Sequence, residues 1–126
     1  MTRKRYKHEW YVKNVEKTTK RSMQWAKDNP ERIKEINRKH KFGISPEEYD
    51  LKSKKQKNRC AICGKKETHR DHRSHKLTSL SVDHDHKTGK IRDLLCRNCN
   101  RVLGLFSDNA TLFKKVIQYL KKHNKE

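Results

Sequence analysis

Apolar positions are sparse along the chain, and where they cluster they mark its elements. The clearest stripe is Leu112, Phe113, Val116, Ile117 and Leu120, spaced as one face of a helix. Asp108 stands ahead of it as a candidate N-cap, so a last helix with a core-facing stripe is expected. Upstream, Val102, Leu103 and Phe106 predict a helix from Cys96 to Phe106. Leu77 to Val82 alternates partly as a strand does, and Lys90 to Leu95 reads as a second strand, with Lys87-Thr88-Gly89 as the turn. Ser45-Pro46-Glu47-Glu48 has the form of a capping box and opens a helix to about Lys57, with Tyr49 and Leu51 as its few apolar positions. An earlier helix is bounded by Asn29 as cap, Pro30 at the first helical position and Gly43 after Phe42. Residues 1–28 are lysine-rich with Tyr6, Trp10, Tyr11 and Trp25 interleaved. They predict a basic arm that docks its aromatics on the domain or orders on nucleic acid.

The elements add up to a small, mostly helical α+β chain with little to bury. The chain has 126 residues, and only 30% of them are hydrophobic, against roughly 45–50% in ordinary soluble domains. A core that small calls for a covalent or metal staple. The N-terminus MTRKRYKHEW has no apolar run of signal-peptide type, and no stretch is apolar enough to span a membrane. A soluble, cytoplasmic protein is expected, in which cysteines serve as metal ligands rather than disulfides.

The staple is written in the cysteines. Cys60-x-x-Cys63 and Cys96-x-x-Cys99 are the chain's four cysteines. Two such pairs point to a tetrahedral, closed and therefore structural Zn2+ site. A redox dithiol needs one pair in a thioredoxin-like setting, which is absent here. The segment between the pairs is long enough to hold a hairpin.

Charge then narrows the partner. Thirty-four Lys and Arg stand against 15 Asp and Glu, for a net +19. The charge is spread along the chain and implies a polyanion, of which nucleic acid is the usual one. Four thiolates and one Zn2+ would leave about +17, which changes nothing. A membrane surface fits less well, because no clean apolar face opposes the basic stretches.

Between the cysteine pairs lies Val82-Asp83-His84-Asp85-His86. The zinc frame brings the end of the first strand, with Asp83 and His84, close to the helix that carries Asn100. A carboxylate and an amide oxygen are hard donors suited to Mg2+ or Mn2+, not to competition for zinc. His84 can take a proton from water near neutral pH. Metal, base and positive surface together suit phosphodiester hydrolysis. His69, His72 and His75 read instead as a solvated basic loop. Lys90 and Arg92 flank the hairpin as candidate phosphate contacts.

The string VDHDHKTGKIRDLLCRNCN, with CAICG and FGISPEEYD upstream, resembles the recombination endonuclease VII family of HNH (His-Me finger, ββα-metal) nucleases over about Phe42 to Gly104. The resemblance implies a ββα-metal core stapled by Cys60, Cys63, Cys96 and Cys99, with flanking helices. It implies that Asp83 and Asn100 hold one catalytic Mg2+ or Mn2+, that His84 activates the attacking water, and that His86 positions phosphate or water. Asp85 is a structural partner in this scheme. Asp93 stands where the family commonly has glycine. Junction-resolving members are dimers, so a homodimer is an expectation too.

The sequence thus predicts a basic helical arm at 1–41, a zinc-stapled nuclease core at 42–106 and a C-terminal packing helix at 107–126. The expected function is metal-dependent DNA cleavage, phage-related and in the host cytoplasm. A non-catalytic zinc-binding nucleic-acid module, or a ribosome-associated zinc protein, would share the charge and the cysteines but have no use for Asp83, His84 and Asn100.

Overall fold

The computed structural model describes residues 3–124, with side chains from Lys7 onward, so Tyr6 lies outside the described side chains. Helices α1 (Arg3–Asp28), α2 (Pro30–Phe42) and α3 (Pro46–Lys55) precede strands β1 (Ser81–His84) and β2 (Ile91–Leu95). Helices α4 (Arg97–Leu105) and α5 (Ala110–His123) follow. The chain is small, mostly helical α+β, with a two-stranded antiparallel sheet. It divides into two compact units, residues 1–41 and 42–126.

In the first unit, Asn29 interrupts the helical run between α1 and α2. Its carbonyl accepts from Ile33 N at 3.1 Å, as a cap position does. Its side chain faces the other way from the expected cap: the amide donates to Trp25 O at 2.8 Å and closes α1. Pro30, which has no N–H to donate, starts α2 at no hydrogen-bond cost. Trp10, Tyr11 and Trp25 are exposed.

In the second unit, the capping box forms as its residues predict. Ser45 Oγ accepts from Glu48 N at 3.2 Å, and the Glu48 carboxylate accepts from Ser45 N at 2.8 Å. Helix α3 stops at Lys55 rather than Lys57, because Lys57 and Asn58 turn left-handed at φ 54° and 55°. The first strand starts later than its alternation suggested. Leu77 bridges Arg70 instead, across a loop turned by Asp71, whose Oδ1 accepts from Arg73 N and Ser74 N.

The core is as small as the composition requires. Ile44, Tyr49, Leu80, Val82, Leu94 and Leu95 are buried together with Cys60 and Cys96. Tyr49 reaches across it, its hydroxyl donating to Leu80 O at 2.7 Å. Gln56 clamps β2 from outside, its amide donating to Leu94 O at 2.8 Å and accepting from Leu94 N at 3.0 Å.

Two expectations for the C-terminal segment change. The cap of α5 is Asn109, whose Oδ1 accepts from Leu112 N at 3.0 Å, not Asp108. The apolar stripe is not enclosed: no residue of α5 is buried, and Leu112, Ile117 and Leu120 are exposed. Its anchor is Phe113, stacked at a tilt on Phe106 with centroids 4.9 Å apart. Helix α4 packs on both strands.

Candidate active site and metal centre

The metal centre grows from two local turns. At the first, Gly64 N donates to Cys60 O at 2.9 Å, and Gly64 adopts φ +67°, a backbone that glycine reaches without a Cβ penalty. At the second, Cys96 is itself the N-cap of α4, its Sγ accepting from Cys99 N at 3.5 Å. The knuckle is tied to the hairpin by Ala61 N donating to Leu94 O at 3.1 Å.

The result is convergence. The four Sγ atoms lie within 4.8 Å of one another, with Cys63 and Cys96 at 3.9 Å. Zn–S bonds of about 2.3 Å in a tetrahedron separate the sulfurs by about 3.8 Å. Donor chemistry and spacing therefore fit zinc, and four protein ligands close the site to substrate. Burial pushes the Cys60 thiol up, but N–H groups of Cys63, Cys96 and Ile62 outweigh it and bring it down to about 7. Burial and neighbouring thiols push Cys96 and Cys99 up. A dication among four such thiols would reverse the latter balance.

The candidate acid–base residues cluster at the turn end of the hairpin. Val82 pairs with Leu94 and His84 with Ile91, so Asp83 faces two residues of β2, Arg92 and Asp93. That bulge breaks the in-out alternation, and Val82 and Asp83 are buried in succession. The His84 and His86 rings stack at a tilt, 4.6 Å apart, and Phe42 lies 5.1 Å from His84 on another side. Asp85 turns the chain: its Oδ1 accepts from Lys87 N and Thr88 N, both at 2.8 Å. Those two N–H groups hold its carboxyl below the ordinary range, which gives Asp85 a structural role. Gly89 at φ +70° completes the turn, donating to Asp85 O.

Asn100 stands in the first turn of α4, half-buried. Its side-chain amide makes no hydrogen bond among the described residues, nor do the ring nitrogens of His84 and His86, and all three remain uncommitted. Lys90 is exposed beside the turn. Arg92 is not a free cation. Its Nη2 donates to Asp83 Oδ1 at 3.0 Å, to His84 O at 3.2 Å and to Asp108 Oδ2 at 3.1 Å. Its Nε lies 2.6 Å from Asp83 Oδ2, an ion pair without a directed hydrogen bond. Hydrogen bonding to Asp83, followed by the charges of Asp83 and Asp108, holds the guanidinium more firmly protonated than usual. Asp93 points outward with its carboxylate 3.7 Å from Lys52 Nζ. A cleft of about 580 Å³ opens beside the site, lined by Asp85, His86, Lys87, Arg92, Ser107 and Asp108 among others.

Sequence reading missed Glu67. Its carboxylate accepts from Arg97 N at 2.7 Å and from Thr68 N and His69 N, so it caps the start of α4 from a distant loop. Those N–H groups outweigh desolvation and lower its carboxyl. Of the loop histidines, His69 is packed by the Arg97 guanidinium, with Nη1 2.8 Å from Nδ1. Nothing in the local spacing of Glu67 announces a partner thirty residues on. Among the described residues no helix is long and apolar enough to cross a membrane.

The family model described as Recombination endonuclease VII matches residues 35–122. The Gene 59 protein of Mycobacterium phage D29 is 42% identical over 82 residues, covering 64% of this chain and 46% of the relative. The Gene 59 protein of Mycobacterium phage L5 is 42% identical over 80 residues, covering 63% and 44%. The chain spans less than half the length of these curated relatives. No solved structure matches.

Proposed function

The chain belongs to the recombination endonuclease VII family, and we propose that it is a divalent-metal-dependent DNA endonuclease whose β1, β2 and α4 form a ββα-metal (HNH) core. The observation that carries this reading is a buried carboxylate, Asp83, set one residue ahead of two stacked imidazoles beside an open cleft. The four-cysteine frame holds Zn2+ and keeps hairpin and helix together. Asp83 and Asn100 are the ligands of a single catalytic Mg2+ or Mn2+, since one carboxylate and one amide offer too few charges for two metals. When bound, that ion supplies positive charge to the phosphate and its leaving oxygen.

The chain's own residues do the rest. His84 accepts the proton of the attacking water at a ring nitrogen, and its neighbours Phe42 and His86 restrict the tilt of the ring. His86 positions water or phosphate. Lys90 and the diffuse positive charge hold the DNA backbone without reading bases. Phage relatives support the host cytoplasm as the place of action, and a homodimer is part of the same reading.

Plasmid cleavage in Mg2+ or Mn2+, with and without EDTA, separates this enzyme from a zinc-bearing binding module. General-base catalysis supplies about 10²–10⁴-fold, so His84→Ala should lose at least the lower figure while keeping its zinc and its DNA affinity. His72→Ala, in the exposed loop, is the matched control. Equal damage from both variants, or EDTA-resistant cleavage, would overturn the proposal.

A further inference from the structure

The turn between α4 and α5 carries a carboxylate that the chemistry above does not use. Asn109 takes over the capping of α5, which frees the side chain of Asp108. Ser107 and Asp108 both adopt left-handed backbone, φ 49° and 53°. Two successive non-glycine residues there are uncommon, and such conformations persist where their surroundings enforce them, often at functional sites. The backbone is pinned by Asp108 N donating to Leu103 O at 3.0 Å. What the turn delivers is Asp108 Oδ2 against Arg92 Nη2, with Oδ1 enclosed and without a hydrogen-bond partner.

One guanidinium therefore serves two carboxylates. Arg92 spans both oxygens of Asp83 and one of Asp108. A divalent cation arriving at Asp83 meets a ligand already neutralised by a cation of the chain. Asp108 divides the hydrogen bonding of Nη2, so Asp83 never receives it whole.

We propose that Asp108 is a positioning residue that draws Arg92 off Asp83 and thereby sets how readily Asp83 takes a divalent cation. The inference rests on Asp83 being a metal ligand, and its test is chosen to fail separately from that reading. Mn2+ affinity is titrated by electron paramagnetic resonance on the zinc-loaded chain without DNA, so that turnover plays no part. With the acceptor charge of Asp108 gone, Nη2 turns wholly to Asp83, and that strengthened charge-assisted pairing should weaken Mn2+ binding roughly 5–10-fold in Asp108→Asn. Arg92→Gln should tighten it. In the Arg92→Gln background the further change Asp108→Asn should cost less than about 2-fold, because the residue through which it acts is gone.

Unchanged affinity in Asp108→Asn overturns the proposal. So does an equal loss in both backgrounds, which would make Asp108 a direct ligand or a distant charge. If Asp108→Asn fails to fold, Arg92→Gln decides alone: tighter binding supports the idea and unchanged binding ends it. Should the wild type show no Mn2+ binding that Asp83→Ala removes, the active-site reading falls first and this one with it.

Discussion

The cysteine frame and Asp83 are both built on the hairpin, yet the fold surrounds them in opposite ways. The four thiols converge on one another, with Cys96 acting as helix cap and Cys60 as part of the core. Among the described residues no Lys or Arg pairs with them. Asp83 is buried as Cys60 and Cys96 are, but its carboxylate is matched by Arg92 and the fold closes around that pair. A metal that must stay can be part of the fold, so the protein provides no substitute for it. A metal that must exchange cannot, because the fold would then open whenever the ion left.

The largest effect should come from breaking the first half of that contrast. Structural zinc contributes an apparent ~10–16 kcal/mol in small zinc modules, about as much as the whole stability of an ordinary domain. Cys96→Ser, or a chelator strong enough to strip zinc, should therefore unfold residues 42–126, read by circular dichroism together with metal analysis. Mg2+ added or removed should hardly move the melting temperature. A chain that stays folded without zinc would erase the distinction between the two sites.

A smaller change sharpens it. Gln56→Ala leaves the N–H of Leu94 without its acceptor, while the C=O keeps Ala61 N. An unsatisfied buried N–H of this kind costs about 1–3 kcal/mol, to be seen as a shift in the denaturation midpoint with zinc content unchanged. The smallest effect is expected from Glu67→Gln, which keeps an acceptor for Arg97 N but removes a charge from the start of α4. A loss of about 0.5–1 kcal/mol, shrinking in high salt, is the expected size of such a contribution. A salt-independent loss would mean that shape rather than charge holds the helix.

What the sequence made legible followed from short-range rules. The capping box at Ser45, the two cysteine turns, the hairpin turn at Asp85–Gly89 and the helical stripe of α5 are each specified within a few residues. The boundaries went astray where neighbours compete for one job. Asp108 and Asn109 can both cap α5; Asn109 does so, while Asp108 pairs with Arg92 from the sheet. Asn29 can cap the helix after it or close the one before it, and it does the latter. Gln56 and Glu67 make their contacts across long stretches of chain, so no periodicity could reveal them. For the same reason the guanidinium of Arg92 looked like a phosphate contact and is committed to two carboxylates. The stripe of α5 was legible as a helix face but not as an exposed one.

The amide of Gln56 has one more consequence. A two-stranded ribbon has bare margins, and a bare margin is a template on which a strand from another molecule can be laid. At Leu94 the margin of β2 is taken: Gln56 occupies both its donor and its acceptor, and Ala61 N shares the acceptor. A side chain thus stands in for a third strand at the one point where β2 is most deeply apolar. Crowding along a polyanion brings copies of a basic protein together, and at Leu94 this margin of the ribbon gives them nothing to zip onto.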